Sequence, residues 1–204
     1  MRHDTGADAH LPTNLPPRLE FETAEAEPWE DPDASGKLGL LFEACEAGDE
    51  AQVQLLAPQC REYLENGMLG PDGDTCLHLA CVYGHEAVFH TLLESGAKVD
   101  VSDENGSTCL HDASASGSLA MVTRLLELAP GLLTRCDSDG ETCLHCAARG
   151  GHTAVVAALL RAGVDTSVVN TFGQTALMLV DAEDVDTARL LAATDTEDED
   201  APAS

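Results

Sequence analysis

Cysteine and histidine recur together in the sequence Thr-Cys-Leu-His, which occurs at 75–78, 108–111 and 142–145. Both residue types ligate metals, and cysteine also carries thiol chemistry, so the recurrence raises the question of a metal site or a reactive thiol. On a helix, Cys76 and His78 are separated by about 200° around the axis, so they cannot share one zinc ion. Equivalent cysteines of stacked helices would lie roughly 8–10 Å apart, which exceeds the reach of a disulfide. The spacing therefore favours neither a metal site nor a chain of disulfides.

A second possible thiol site is the Cys-x-x-Cys motif formed by Cys143 and Cys146 at the start of a predicted helix. The positive end of a helix dipole favours a thiolate, and thiol exchange uses this spacing. The motif occurs once, however, and it lacks the strand and long helix that accompany it in thioredoxin-like proteins. These two points count against the motif, and a thiol-redox or metal protein that uses Cys143 and Cys146 is kept only as an alternative.

Other catalytic motifs are missing from the sequence. His85 and His90 resemble the histidine pair of a zinc protease, but their spacing of five residues instead of four rotates them about 140° from each other on a helix. No glycine-rich phosphate loop, nucleophile elbow or ordered nucleophile–base pair occurs. We therefore predict that the chain is not an enzyme and uses no cofactor or metal.

The overall charge is strongly negative, with 37 acidic residues against 10 basic ones and a formal net charge of −27. The lysines and arginines are scattered singly, so we expect no binding to nucleic acid or to an anionic membrane surface. No stretch of 18 apolar residues occurs, and the first residues lack the apolar run of a secretory signal. Eight cysteines without such a signal suggest reduced thiols, so we expect the protein in the cytoplasm, the nucleus or both.

The two ends of the chain differ in composition from the rest. Residues 1–35 hold nine acids and two arginines, and residues 194–204 hold five acids and no base. Because charge is high and the first segment is rich in proline, we predict disordered acidic tails at both ends. Phe21 and Trp29 lie among glutamates, so the first tail is either a solubilising segment or a short docking segment that folds on a partner.

A repeated unit accounts for the recurrence of cysteine and histidine. Its turn glycines Gly73, Gly106, Gly140 and Gly173 are 33, 34 and 33 residues apart. The chain therefore divides into units at about 36–72, 73–105, 106–139, 140–172 and 173–193. The first unit lacks the turn but keeps the helical pattern.

Each unit is predicted to form two short helices. Thr75, Thr108 and Thr142 are suitable N-caps, because a threonine hydroxyl accepts from the free amides of the first helical turn. A helix of about nine residues follows and ends at a glycine such as Gly84. The second helix carries apolar residues at helical spacing, as in the segment 88–93. A turn that begins with aspartate and ends with glycine leads to the next unit.

This pattern resembles the ankyrin repeat. In the second unit, the resemblance is carried by Thr75, Leu77, His78, Ala80, Gly84 and His85. It covers about residues 36–193 and implies an all-α solenoid of stacked helix-turn-helix units joined by β-turns or hairpin loops. It also implies that His78, His111 and His145 hydrogen-bond the threonine of their own unit instead of binding a ligand.

The sequence departs from the usual pattern at two places. The residue after the threonine, where proline is usual, is a cysteine at positions 76, 109 and 143. The first turn of a helix tolerates both residue types. The last unit has Met178 in place of histidine and no glycine between its helices. Its polar segment 181–186 is typical of a terminal capping unit.

The resemblance further implies a concave binding face, made of the turn tips and the exposed side of the first helices. The residues mapped to this face are Asp72, Asp74, Leu79, Tyr83, Glu104, Asn105, Asp112, Ser116, Asp139, Glu141, Arg149 and Phe172. The rim is acidic and Arg149 is its only cation. Tyr83 and Phe172 are the aromatic candidates for binding hot spots.

These features predict a non-catalytic protein–protein interaction module, an adaptor or scaffold that is a monomer on its own. The negative charge favours a protein partner with a basic surface, because charge attraction accelerates encounter. An acidic escort that shields a basic client, such as a ribosomal protein, is the alternative.

Overall fold

The structure, a computed structural model, describes residues 30–33 and 35–195, with only the backbone of Thr194 and Asp195. The α-helices are α1 (Lys37–Ala47), α2 (Glu50–Leu56), α3 (Arg61–Asn66), α4 (Cys76–Val82), α5 (Glu86–Glu94), α6 (Cys109–Ala115), α7 (Leu119–Leu128), α8 (Cys143–Arg149), α9 (Thr153–Arg161) and α10 (Val185–Asp195). Short 3-10 turns occupy Ala57–Gln59, Pro130–Thr134 and Ala176–Leu179. Within the described ranges the β-structure is limited to two isolated antiparallel bridges, so the all-α prediction is confirmed.

The helices form two layers. In the first layer α1, α4, α6, α8 and the 3-10 turn at Ala176–Leu179 pack one on the next. In the second layer α2, α5, α7, α9 and α10 do the same. Each predicted unit contributes one element to each layer, and one continuous apolar core runs from Leu38 to Leu191. This is the stacked arrangement that the repeat period predicts, because a single helix pair cannot bury its apolar face alone.

The first-layer helices α4, α6 and α8 begin after the predicted threonines but are shorter than predicted. Thr75 precedes α4, and its hydroxyl accepts from the backbone N–H of His78 at 3.3 Å. The helix has seven residues instead of about nine, because Tyr83 is already the C-cap and Gly84 reverses the chain with φ of 71°. The α6 and α8 helices have the same length.

The folded part begins earlier than the predicted boundary at residue 36. The Asp31 carboxylate accepts from Gly39 N at 2.8 Å, and the Asp33 carboxylate accepts from Lys37 N at 3.2 Å. These aspartates therefore satisfy free amides at the start of α1 instead of belonging to a tail. The other predicted tail residues before 30, including Phe21 and Trp29, and those from 196 onward lie outside the described residues.

The last unit is the least regular. Thr175 makes no side-chain cap, a 3-10 turn replaces the first helix, and Met178 is 66% exposed where the three preceding units have a buried histidine. The final helix, α10, continues to Asp195, two residues past the predicted end of the domain. None of the described helices combines the length and the apolar character needed to cross a membrane.

Candidate protein-binding surface

Three of the turn tips are held by the side chain at the head of the turn. Asp103 Oδ1 accepts from the backbone N–H groups of Asn105 and Ser107, at 2.8 and 2.7 Å. Asp137 and Asn170 make the same pair of bonds in the next two turns. Because the head side chain satisfies the backbone of its own turn, each tip has one defined conformation.

Adjacent tips are also joined to each other. Ser138 N donates to Asn105 O, and Thr171 N donates to Asp139 O, both at 2.8 Å. These bonds link three successive turns into a row and leave their outermost side chains exposed. The predicted surface residues in this row are Glu104, Asn105, Asp139 and Phe172, all of them exposed.

Tyr83 is the most exposed aromatic residue of the first-layer helices. Half of the residue is exposed, its hydroxyl donates to the Glu46 carboxylate at 3.2 Å, and its ring stacks on His85 with centroids 5.9 Å apart. Leu79, one turn earlier on α4, is half-buried. Ser116 is also half-buried and donates to Ala113 O at 3.3 Å.

Glu141 and Arg149 bind each other, so neither is an unpaired charge on this surface. Glu141 is 6% exposed, and its carboxylate accepts from the Arg149 guanidinium and from Asn170 Nδ2, the latter at 3.2 Å. Burial opposes ionisation of Glu141, but the hydrogen bonds from Arg149 and Asn170 outweigh it and lower the pKa of the carboxyl. The predicted contact between Glu141 and a partner therefore requires correction, because this carboxylate is enclosed between two turns.

The carboxylate of Asp112 also differs from that of a solvated acid. Its Oδ2 is buried without a hydrogen-bond partner, and its Oδ1 is 3.4 Å from the hydroxyl of Ser107. Burial, reinforced by nearby Cys109 and acids, raises the pKa of Asp112 to about 8, although His78 opposes the shift. The acidic character of the face therefore depends on other residues.

The histidines join consecutive units. In α6, His111 Nδ1 accepts from the backbone N–H of Thr108 at 3.1 Å, and Nε2 lies 3.1 Å from the carbonyl of Glu141 in the next unit. His145 repeats this arrangement with Thr142 and Gln174. An accepting Nδ1 requires the Nε2–H tautomer, which can then donate to the carbonyl. This geometry matches the structural role that the resemblance implies.

His78 departs from this arrangement. Its Nδ1 contacts the Thr75 hydroxyl at 2.9 Å, but its buried Nε2 has no hydrogen-bond partner, unlike Nε2 of His111 and His145. Burial opposes ionisation of the nearby Cys109, yet the proximity of Cys81 and His78 lowers the pKa of this thiol to about 6. Among the described residues, no group of three or more cysteine, histidine and acidic side chains is arranged to hold a metal.

Cys143 and Cys146 do not have the thiolate character that a helix start would favour. Burial raises the pKa of both thiols to about 12, and the carboxylate of Glu141 adds to the effect at Cys146. Desolvation therefore outweighs the helix dipole, which counts against the thiol-redox alternative at this motif. All eight cysteines are free thiols.

The first unit contributes acids that the sequence interpretation missed. Glu43 and Glu46 lie on α1, which packs beside α4 in the first layer, and both are exposed. They were missed because this unit lacks the Thr-Cys-Leu-His segment used to align the others. The glycine spacing between Gly48 and Gly84 is the signal that places them, because it puts Glu46 in register with Val82.

The comparisons with known proteins agree with this geometry. A family model described as ankyrin repeats in three copies matches residues 41–132, and a second one described as ankyrin repeats in many copies matches residues 110–160. No curated protein matches the sequence. The two family matches together span, in part or in full, the first four of the stacked helix pairs, and the chain belongs to the ankyrin repeat proteins.

Proposed function

We propose that this chain is a non-catalytic interaction module that binds a basic protein on its turn tips and on the exposed side of its first-layer helices. Ankyrin repeats generally mediate protein–protein interaction. Beyond this general role, we specify a partner with a basic surface and the residues of this chain that bind it.

The distribution of exposed charge is the observation that carries the proposal. On the proposed surface the exposed acids are Glu43, Glu46, Asp72, Glu104 and Asp139. Arg149, the only cation among the predicted surface residues, is already paired with Glu141. A surface with unpaired charge of one sign attracts an oppositely charged partner and accelerates its encounter.

Affinity purification of partners at low and high salt, followed by titration of a captured protein, tests the proposal. The tip variant Glu104→Gln, Asp139→Asn removes two exposed charges from the row of turns. We expect it to weaken binding by about fivefold, since exposed charge pairs contribute roughly 0.5 kcal/mol each. We also expect affinity to fall as salt increases, because screening weakens exposed charge pairs.

The variant Glu62→Gln, Glu94→Gln is the matched control. It removes the same charge from exposed positions on α3 and α5, outside the proposed surface. Equal loss of affinity in both variants would mean that only net charge matters. Capture that is indifferent to salt and to the tip variant would contradict the proposal.

A further inference from the structure

A pocket of about 280 Å³ lies between α1 and α4, beside the turn at 70–73. Phe42 of α1, Leu79 of α4 and Pro71 of the turn supply its apolar lining. The pocket lies within the first two units, and its rim residue Glu46 accepts a hydrogen bond from the exposed Tyr83.

The turn at 70–73, which borders the pocket, differs from the later turns in its head residue. The later turns begin with Asp103, Asp137 and Asn170, whose side chains fold back over their own backbone. Here the head residue is Gly70, and a Cβ atom at this position would come within 2.7 Å of the Phe42 ring. The turn is closed by the backbone bond from Gly70 N to Asp74 O at 2.8 Å, without an aspartate or asparagine side chain at its head.

The rim of the pocket is acidic, and among the described residues no basic side chain lines it. Glu43, Glu46, Asp72 and Asp74 are the four acids. Tyr83 donates to Glu46 and holds that carboxylate near the pocket. Burial raises the pKa of the half-buried Asp74, and the charges of Asp103 and Asp72 add to the effect. A bound cation would relieve this repulsion, because an opposite charge stabilises ionised carboxylates.

We propose that this pocket binds an arginine side chain of a basic protein segment, an inference that rests on the proposed function. An arginine has an aliphatic stem that suits the apolar lining and a cationic head that suits the rim. Its planar guanidinium offers five N–H donors to several carboxylates and is less strongly hydrated than the ammonium of lysine. The pocket would therefore select arginine over lysine, whereas the row of tips attracts positive charge without that preference.

Amide NMR of the full chain with small probes tests the site directly. N-acetyl-arginine amide is titrated at constant ionic strength, and the backbone amides of Gly39 and Gly70 report on the pocket lining. We expect saturable shifts at both glycines with a dissociation constant on the order of 1 mM, as expected for a ligand of this size. N-acetyl-lysine amide should bind more weakly, and N-acetyl-citrulline amide, which has the shape of arginine without the charge, should cause no saturable shift.

The pocket variant Glu43→Gln, Asp72→Asn should weaken arginine binding by at least about fivefold, since it removes two rim charges. The variant Glu62→Gln, Glu94→Gln is again the control and should bind the probe as the unmodified chain does. All four substituted residues are exposed, so both variants are expected to fold. Retained dispersion of the amide spectrum checks this. The inference would be overturned if the citrulline probe or the lysine probe bound as tightly as the arginine probe. It would also be overturned if the pocket variant left the affinity for the arginine probe unchanged.

The same variants separate this inference from the proposed function. If a basic partner binds and depends on Glu104 and Asp139 but not on Glu43 and Asp72, the proposed function stands and the arginine pocket is wrong. If the arginine probe binds the pocket but no basic protein binds the chain, the pocket stands and the proposed function is wrong.

Discussion

At the scale of single residues, burial determines which titratable side chains carry charge. The surface acids Glu104 and Asp139 are exposed, whereas Asp112, on the same predicted face, has one buried oxygen without a partner. His111 is buried and held by two hydrogen bonds that suit its neutral form. Both buried groups make the stability of the chain depend on pH.

We predict that Asp112→Asn stabilises the protein at neutral pH. Burial raises the folded pKa of Asp112 from 3.8 to about 8. A raised pKa means that the stability associated with the protonated group is complete below pH 3.8 and is lost as pH rises towards 8. The substitution should therefore raise the free energy of unfolding at pH 7 by about 1–2 kcal/mol and change it little at pH 4. Urea denaturation at the two pH values measures this difference.

The exposed Asp139 provides the control for this experiment. Asp139→Asn should leave the unfolding free energy within about 0.5 kcal/mol at both pH values, because its side chain is solvated. An equal effect of Asp112→Asn at pH 4 and pH 7 would show that the buried charge is not the cause.

We also predict that His111 remains neutral at pH 6.5, as the Nε2–H tautomer. Burial lowers its pKa below the ordinary value of 6.5, although the carbonyl of Glu141 opposes the shift. Because the folded pKa is depressed, this contribution to stability is complete above pH 6.5 and is lost as pH falls through the folded pKa. Nitrogen chemical shifts, assigned with a His111→Gln variant, report the tautomer and the titration midpoint. A midpoint at or above 6.5 would contradict the prediction.

At the scale of elements, the glycine after a first-layer helix reverses the chain, and in some units it also makes room for a side chain of the next unit. Gly84 and Gly117 both have positive φ, of 71° and 76°, which lets the chain reverse direction between the two helices of a unit. Gly117 in addition lies against His152 of the next unit, whose Nε2 contacts Ala115 O at 2.8 Å. The repeat spacing predicted the first task, whereas the second depends on how two units pack.

The pair of glycines gives a test that separates backbone strain from a steric clash. Gly84→Ala should cost about 1 kcal/mol of stability, because open space surrounds the added Cβ and only the positive φ is unfavourable. Gly117→Ala should cost about 2–4 kcal/mol, because the added Cβ would approach the His152 ring to 2.5 Å. Urea denaturation of both variants measures the costs.

A third variant isolates the contribution of the ring. His152→Ala in the Gly117→Ala background should recover part of the lost stability relative to the sum of the single changes. Equal costs for the two glycine substitutions would show that the contact with His152 contributes nothing.

At the scale of the whole molecule, stability comes from contacts between neighbouring units. The α6 helix packs on α4 on one side and on α8 on the other, and its Cys109, Leu110 and Ala113 are fully buried. Removal of a neighbour therefore exposes apolar surface on the unit that remains, in addition to removing the contacts of the deleted unit.

We predict that deletion of 140–193 leaves an unfolded or barely folded chain, because the apolar face of α6 loses its cover. Deletion of 173–193 is the milder control, since it removes only the 3-10 turn and most of α10. That shorter deletion should lower stability but preserve a cooperative transition. Thermal unfolding followed by circular dichroism distinguishes the two cases, and a cooperative melt after deletion of 140–193 would contradict the prediction.

The sequence alone determined the features that are local. The period of about 33 residues, the threonine caps and the aspartate-headed turns depend on contacts within a few residues, so residue type and spacing were sufficient to predict the repeat and its helices. The sign of the surface charge follows from composition in the same way.

Only the tertiary structure decided which of those charges remain available. Glu141 pairs with Arg149 and with Asn170 of the next turn, and beside the pocket between α1 and α4 the Phe42 ring lies where a Cβ atom at position 70 would be. The contacts of Glu141 with Asn170 and of Gly70 with Phe42 join residues about 30 positions apart, so they depend on how distant elements of the chain pack together and not on the local sequence pattern. Packing enclosed some acids and left others exposed, and that difference defines the surface proposed for a basic partner.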